Sequence, residues 1–187
     1  MRIFIAVDLP AKIQAEVSTF QDALKHTRAS INWTRPESLH LTLKFLGEIE
    51  ESRLSKIVNV VQSVTDSHRQ MTLCLTGIGV FPHLRNPRIF WVGLDGETEK
   101  FASLAEEVDL RLSELGFPRE ERSYKPHLTI GRFKSPLGAS ELISHGLEYP
   151  LPVLSFRISE VTIMRSLLSP RAAVYTPLFK CPLGDDS

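Results

Sequence analysis

Apolar residues recur along this chain at two different periods, and the changes of period predict its elements. The run from Arg2 to Asp8 is rich in Ile, Phe and Val, which is typical of a strand. Pro10 follows at a position where a first helical turn tolerates proline. A helix to about His26 is predicted next, because apolar residues repeat at helical spacing at Ile13, Val17, Phe20 and Leu24.

A second unit has the same order of strand and helix. It begins with a predicted strand from His40 to Leu46, which we expect to break at Gly47. The helix that follows is indicated by Leu54, Ile57, Val58 and Val61. The repetition suggests two similar lobes.

The middle of the chain predicts two strands and a long helix. The strands Met71 to Val80 and Arg88 to Leu94 are joined by the loop "FPHLRNP", whose prolines and asparagine favour turns. The helix from Glu97 to Leu115 places its apolar residues on one face and is followed by Gly116, a typical helix stop.

The remaining third predicts a strand at "YKPHLTIGRF", a weaker helix around Glu141 to Leu147, and a closing strand pair, Ser155 to Arg165 and Ala173 to Lys180. The last residues, "GDDS", are expected to fray. Several strands are sequence neighbours, and no Gly-rich phosphate loop follows any of them. This favours an α+β fold with largely antiparallel sheets, formed as a single two-lobed domain over residues 1–187.

Composition narrows the class of protein. Twenty-two basic residues balance 22 acidic ones, so bulk charge does not favour coating of nucleic acid or of an anionic membrane. Cys74 and Cys181 form neither a disulfide framework nor a zinc-finger pattern, and no apolar run has the length of a membrane span. We therefore expect a cytoplasmic protein without membrane contact, and a monomer, since no exposed apolar stripe stands out.

The sequence His-Leu-Thr occurs twice, in "SLHLTLKFLG" and in "KPHLTIGRF". Residues two apart on a strand point to the same face, so His40 and Thr42 should lie side by side, as should His127 and Thr129. The alternating apolar residues would anchor each strand in the core. Each copy then presents an imidazole and a hydroxyl on a rigid support.

Two histidines that face one cleft are suited to acid–base chemistry at phosphorus. Near neutral pH one imidazole can accept a proton from an attacking water while the other donates one to the leaving oxygen. Threonine hydroxyls can donate to the non-bridging oxygens, so this chemistry needs neither metal nor cofactor. Zinc binding is the competing interpretation, but neither histidine has an HExxH or CxxC pattern or clustered carboxylates beside it.

The stretches "MRIFIAVDLP", "HLTLKFLGE", "GVFPHLRNPRIFWVGL" and "KPHLTIGRF" resemble the bacterial and archaeal RNA 2',3'-cyclic phosphodiesterases, historically called 2'-5' RNA ligases, of the two-histidine phosphoesterase superfamily. The likeness runs nearly end to end. "IMRSLLSPRAAVY" is similar to the family's closing strands, with Arg171 and Ala172 where a glycine-containing turn is more usual. The resemblance implies a bilobal fold with pseudo-twofold symmetry and both His-x-Thr strands lining a central cleft.

The resemblance also implies hydrolysis of a terminal 2',3'-cyclic phosphate on RNA to a 2'-phosphate, without ATP or metal. Its pattern makes His40 the proton donor to the leaving 3'-oxygen and His127 the proton acceptor that activates water. Thr42, Thr129 and Arg132 would bind the phosphate. Strict alternation puts Arg132 on the face opposite His127, so we expect a bulge or a strong twist at Gly131.

Other residues are candidates for substrate contact. Lys44 shares a face with His40 on a regular strand, and the resemblance suggests an aromatic residue near the cleft at Phe4. Base stacking by another aromatic side chain is conceivable, although packing in the core is the ordinary role of such residues beside strands; the residues concerned are Trp33, Phe45, Phe90 and Trp91. His83 is expected to be a simple loop residue.

Three alternatives remain open from the sequence. The same chemistry could act on a small cyclic nucleotide such as an ADP-ribose cyclic phosphate, or on 2'-5' linked oligonucleotides. The reverse reaction, joining RNA ends through a 2'-5' bond, follows from microscopic reversibility. A module that binds RNA without catalysis would instead show strongly salt-dependent binding and would tolerate loss of His40.

Overall fold

The computed structural model of the chain describes residues 1–168 and 173–185. Within them it has nine strands and four helices, in the order β1 (Arg2–Asp8), α1 (Ala11–Leu24), β2 (Ile31–Trp33), β3 (His40–Glu48), α2 (Leu54–Ser67), β4 (Met71–Phe81), β5 (Ile89–Gly96), α3 (Thr98–Ser113), β6 (His127–Phe133), α4 (Ala139–Glu148), β7 (Leu154–Ile158), β8 (Glu160–Leu168) and β9 (Ala173–Pro182). The short strand β2 was not predicted from the sequence.

The strands form two sheets. One has the order β3-β1-β8-β9 and the other the order β2-β6-β5-β4-β7. Every pair of named strands in them is antiparallel. The predicted α+β class with largely antiparallel sheets is confirmed.

The two sheets are related by a pseudo-twofold correspondence. The series β3-β1-β8-β9 matches the series β6-β5-β4-β7, and in each the strand that carries His-Leu-Thr lies at the first position. The strand β2 then extends the second sheet beyond β6. Helices α2 and α3 contact the first sheet, and α4 contacts the second. The two histidine strands, β3 and β6, contact each other across the sheets.

The main core fills the space between the sheets and their helices. It includes the fully buried side chains of Ile5, Leu41, Leu128 and Ile130, so both histidine strands are anchored by their apolar residues as the alternation predicted. A second, smaller cluster covers the opposite face of β1 and contains Phe4, Ala6 and Met164.

Each histidine strand contains a β-bulge at the fourth residue of its motif. In β3 the pairing with β1 passes from Thr42 directly to Lys44 and leaves out Leu43. In β6 the pairing with β5 passes from Thr129 to Gly131 and leaves out Ile130. An extra residue on one strand reverses the alternation of side chains beyond it.

The bulge at Leu43 overturns the expectation that Lys44 shares a strand face with His40. Lys44 is only 3% exposed. Its ammonium forms a buried ion pair with Asp109 of α3 and donates to the carbonyl oxygen of Pro118 at 2.7 Å. Lys44 therefore joins β3 to α3 and to the segment that follows α3.

Asp109 receives this cation as part of a network. Its carboxylate also accepts from Arg119 at 2.6 Å and from the backbone of Glu120. Burial works to raise the pKa of Asp109, but the hydrogen bonds from Lys44 and Arg119 outweigh it and hold the pKa below its ordinary value. The Asp109 carboxylate therefore remains ionised at neutral pH.

Two predictions about the end of the chain were wrong. The strand expected from Ser155 to Arg165 is two strands in different sheets: β7 pairs with β4, and β8 pairs with β1 and β9. The expected fray does not begin at Gly184, which exchanges backbone hydrogen bonds with residues 68 and 70. The other end of that prediction, Asp186 and Ser187, lies outside the described residues. The turn at Arg171 and Ala172 lies outside the described residues.

The buried pair predicts a large asymmetry between two aspartate substitutions. Asp109→Ala leaves the Lys44 cation buried without its carboxylate, so we expect a loss of about 3–5 kcal/mol in the free energy of unfolding. Asp22→Ala removes the exposed pair with Lys25 and should cost less than about 1 kcal/mol. Urea unfolding measures both variants, and similar small losses would contradict a structural role for Lys44.

Candidate active site

The two His-Leu-Thr copies meet in one cleft with a volume of about 970 Å³. Six of the seven residues predicted to act on or contact substrate line it: His40, Thr42, Lys44, His127, Thr129 and Arg132. They come from β3 and β6, which are far apart in sequence but adjacent in space. The fold therefore brings together the two halves of the site that the repeated motif predicts.

The two imidazoles are oriented by the same kind of hydrogen bond. Nδ1 of His40 lies 2.7 Å from the carbonyl oxygen of Ser38, and Nδ1 of His127 lies 2.7 Å from that of Lys125. Because a carbonyl oxygen can only accept, each Nδ1 carries a proton and donates it. The nitrogen that gains and loses a proton is then Nε2 in both rings.

Aromatic side chains support each imidazole. The Tyr175 ring packs edge-on against the His40 ring with 5.1 Å between the ring centroids. The Phe81 ring packs in the same way against His127, with a centroid distance of 5.0 Å. Their interplanar angles of 90° and 89° show the pseudo-symmetry of the site. Tyr175 and Phe81 were not singled out from the sequence, since only the pairing of distant strands brings them to the histidines.

Phe4 lies beneath this site and not at its surface. Its ring is 4.8 Å from that of His40 and 5.0 Å from that of Tyr175, and its side chain is 2% exposed. Phe4 thus packs against His40, and burial leaves it no area for the direct substrate contact that was expected.

Arg132 lies on the cleft side of β6, on the same face as His127, as predicted for a strand with a bulge or a strong twist. The bulge lies one residue before the predicted position, at Ile130, while Gly131 allows close packing. A Cβ atom at Gly131 would lie 2.5 Å from Cδ1 of Ile31, so a larger residue there would force the Ile31 side chain of β2 to shift. The guanidinium is exposed in a cleft that also holds both histidines.

His40 is electrostatically distinct. Burial lowers the pKa of its imidazole, against the raising effects of the Ser38 carbonyl and the Asp8 carboxylate, and the charge of Arg132 lowers it further. Asp8 is its cross-strand partner on β1. The free protein therefore holds His40 mainly neutral near pH 7.

Several cleft residues were missed by sequence reasoning. Phe45, which the sequence offered as a stacking candidate but placed more readily in the core, is 59% exposed and lines the cleft, because the bulge at Leu43 turns it outward. The cleft lining also carries charged side chains of both signs; they belong to Glu106 on α3, to Arg119, Glu120, Glu121, Arg122 and Lys125 in the segment after α3, and to Arg88 just before β5. No periodic pattern marks such loop residues.

Two features concern metal and membrane. In residues 1–168 and 173–185, no three His, Cys, Asp or Glu side chains converge so that they could hold a metal ion. No helix in the same ranges has the length and apolar character needed to cross a membrane. The cellular location and the oligomeric state stay predictions.

Comparison with known proteins agrees with this geometry. The family model of the 2'-5' RNA ligase superfamily matches residues 9–169. The chain belongs to this superfamily. It is 38% identical to an RNA 2',3'-cyclic phosphodiesterase of Methanothermobacter thermautotrophicus, over 95% of this chain and 96% of that one. An enzyme of the same name from Methanocaldococcus jannaschii is 34% identical over 94% and 96% of the two chains.

Solved structures of other proteins share the fold. A protein from Thermus thermophilus superposes with a TM-score of 0.81 and 29% identity, covering 98% of both chains. Escherichia coli LigT in complex with NADP+ superposes with a TM-score of 0.75 and 25% identity, covering 97% of this chain and 96% of that one. The predicted bilobal two-histidine phosphoesterase fold is confirmed, and the chain is an enzyme that hydrolyses phosphodiester bonds.

The electrostatics of the site predict a shift in the titration of His40. Arg132→Gln removes a positive charge that lowers the pKa of His40, so that pKa should rise. The imidazole would then stay protonated to higher pH. NMR titration of the histidine ring signals in the free protein measures the change.

The matched control is Arg122→Gln, which removes another positive charge from the cleft lining. The side-chain charges that act on His40 are those of Asp8 and Arg132, so the control should leave its pKa in place. An unchanged pKa in the Arg132 variant would contradict the electrostatic coupling across the cleft.

Proposed function

We propose that this chain hydrolyses the 2',3'-cyclic phosphate at the end of an RNA strand to a 2'-phosphomonoester, by acid–base catalysis between His40 and His127. The observation that carries the proposal is the pair of imidazoles in one cleft, each with Nδ1 bound to a carbonyl oxygen and Nε2 left for proton transfer. Two such groups can deprotonate the nucleophile and protonate the leaving oxygen of one displacement.

The roles of the two histidines follow the family pattern. His127 accepts the proton of the attacking water through Nε2, and His40 donates a proton to the departing 3'-oxygen. Burial makes neutral His40 the favoured state in the free protein, but an anionic phosphate beside the ring favours the protonated form. Substrate binding thus charges the acid where it is needed.

Thr42, Thr129 and Arg132 bind the phosphate in this proposal. The hydroxyls donate to non-bridging oxygens, on which charge accumulates in the transition state. The guanidinium offers two parallel donors to the same group. All three side chains line the cleft with the histidines, and the bulge at Ile130 gives Arg132 the same face as Thr129.

An RNA end suits the cleft better than a small nucleotide. Its volume of about 970 Å³ is at the upper end of the range for small-molecule pockets, roughly 300 to 1,000 Å³. That volume leaves room for a nucleotide before the cyclic phosphate, and Arg88, Arg122 and Lys125 line the cleft as cations for backbone phosphates. Exposed Phe45 offers a ring on which a base can stack.

The reverse reaction uses the same groups. If the 5'-hydroxyl of a second RNA takes the place of water, proton transfer through the same two imidazoles forms a 2'-5' bond. Ligation therefore belongs to the proposal as the microscopic reverse of the hydrolytic pathway.

The direct test uses EDTA-treated protein and an RNA oligonucleotide that ends in a 2',3'-cyclic phosphate. We expect a 2'-phosphate product, identified by chromatography against 2'- and 3'-phosphate standards. A 3'-phosphate product would reverse the assigned leaving group. Turnover of ADP-ribose cyclic phosphate with no turnover of RNA would overturn the proposed substrate.

Loss of either imidazole tests the mechanism. His40→Ala and His127→Ala should each lower kcat by at least about 10²- to 10⁴-fold, because each removes one proton transfer. The wild-type pH profile should be bell-shaped, with one limb lost when either histidine is replaced. His26→Ala is the control, since His26 is an exposed residue just after α1 and away from the cleft lining. Full activity in either cleft variant would refute the two-histidine mechanism.

A further inference from the structure

The segment between α3 and β6, residues 114–126, connects the two halves of the site. It leaves a helix that packs on the first sheet and enters the strand that carries His127 in the second. Most of its charged side chains are exposed, but Tyr124 is directed inward. The Tyr124 ring packs against Phe101 of α3 with its centroid 5.9 Å away.

The Tyr124 hydroxyl forms a hydrogen bond that joins the residues just before β6 to β3. It donates to the backbone carbonyl oxygen of Thr42 at 2.7 Å. Tyr124 precedes His127 by three residues, and Thr42 follows His40 by two. A short run of backbone on each side therefore links the two imidazoles through this one contact.

A second contact fixes the same segment to the same strand. The Lys44 ammonium donates to the carbonyl oxygen of Pro118, and Asp109 holds both Lys44 and Arg119. The beginning of the segment is thus attached to β3 by the hydrogen bond to Pro118 and to α3 by the ion pair of Arg119 with Asp109. Its end, next to His127, is attached to β3 by the Tyr124 hydroxyl.

The carbonyl oxygen of Thr42, which accepts the hydrogen bond from Tyr124, lies at an irregular point of β3. Thr42 is the last residue before the bulge at Leu43, where the regular ladder between β3 and β1 is interrupted. Burial raises the pKa of Tyr124 far above neutrality, so the hydroxyl keeps its proton while the histidines titrate. The link is present at every pH at which the site works.

We propose that Tyr124 is a positioning residue that sets the separation of His40 and His127 through its hydrogen bond to Thr42. The inference rests on the proposed function, in which both imidazoles act on one phosphorus. Proton transfer at two points requires both Nε2 atoms to be placed at once, and a displacement of about 1 Å can cost roughly 10²-fold in rate.

The test is Tyr124→Phe, which removes the hydroxyl and keeps the ring that packs on Phe101. We expect kcat on the cyclic-phosphate RNA to fall roughly 10- to 100-fold while KM changes by less than about twofold, because both imidazoles remain but are misplaced in the transition state. Hydrogen exchange at the backbone amides of β6 should quicken. The control is Tyr149→Phe, on a side chain that is 64% exposed, which should behave as wild type.

Assays are run well below the melting temperature of each variant, so that a loss of stability does not lower kcat. An unchanged kcat in Tyr124→Phe, even with a lower melting temperature, would show a merely structural role and overturn the inference. If the Phe variant does not fold, Tyr124→Met keeps a side chain of similar reach and is judged by the same split between kcat and KM.

The two proposals fail in different ways. An active wild-type enzyme that loses activity in His40→Ala and His127→Ala, but not in Tyr124→Phe, would overturn the positioning inference alone. Wild-type protein with no activity on the RNA substrate would overturn the proposed function, and the positioning inference with it.

Discussion

The β-bulge that follows each His-Leu-Thr copy is the constraint on which the site depends. Without it, regular alternation would put Arg132 on the face opposite His127 and would leave Lys44 beside His40. With it, Arg132 and Phe45 line the cleft, while Lys44 is buried and pairs with Asp109. One irregularity, repeated in both sheets, therefore separates the side chains that are exposed in the cleft from the one that is buried in the fold.

The surroundings of the two imidazoles combine symmetry and difference. Both rings donate from Nδ1 to a carbonyl oxygen two residues earlier, and both meet an aromatic ring edge-on. This shared geometry is what the proposed action of both imidazoles on one phosphorus requires. The difference is electrostatic, since burial and the charge of Arg132 lower the pKa of His40. The same scaffold can thus support two proton-transfer roles.

The local spacing of apolar residues predicted an element correctly wherever that element depends mainly on its own residues. The helices and most strands follow from their apolar spacing, and the histidine strands present the faces that alternation predicts up to the bulge. The errors near the end of the chain come from pairing between segments that are distant in sequence. Ser155 to Arg165 is apolar enough for one strand, but its two halves pair with different sheets, and Gly184 is ordered by partners more than 100 residues away.

The sequence by itself determined the class of fold, the family and the identity of the two His-x-Thr pairs. These follow from the local spacing of apolar residues and from a repeated motif. Tertiary structure alone decided the burial of Lys44 and Phe4, the exposure of Phe45 and the meeting of Tyr124 with Thr42. Those outcomes depend on register and on contacts between distant segments. The one-residue bulge at Leu43 decides the burial of Lys44 and the exposure of Phe45, whereas the positions of Phe4 and Tyr124 depend on packing between distant segments.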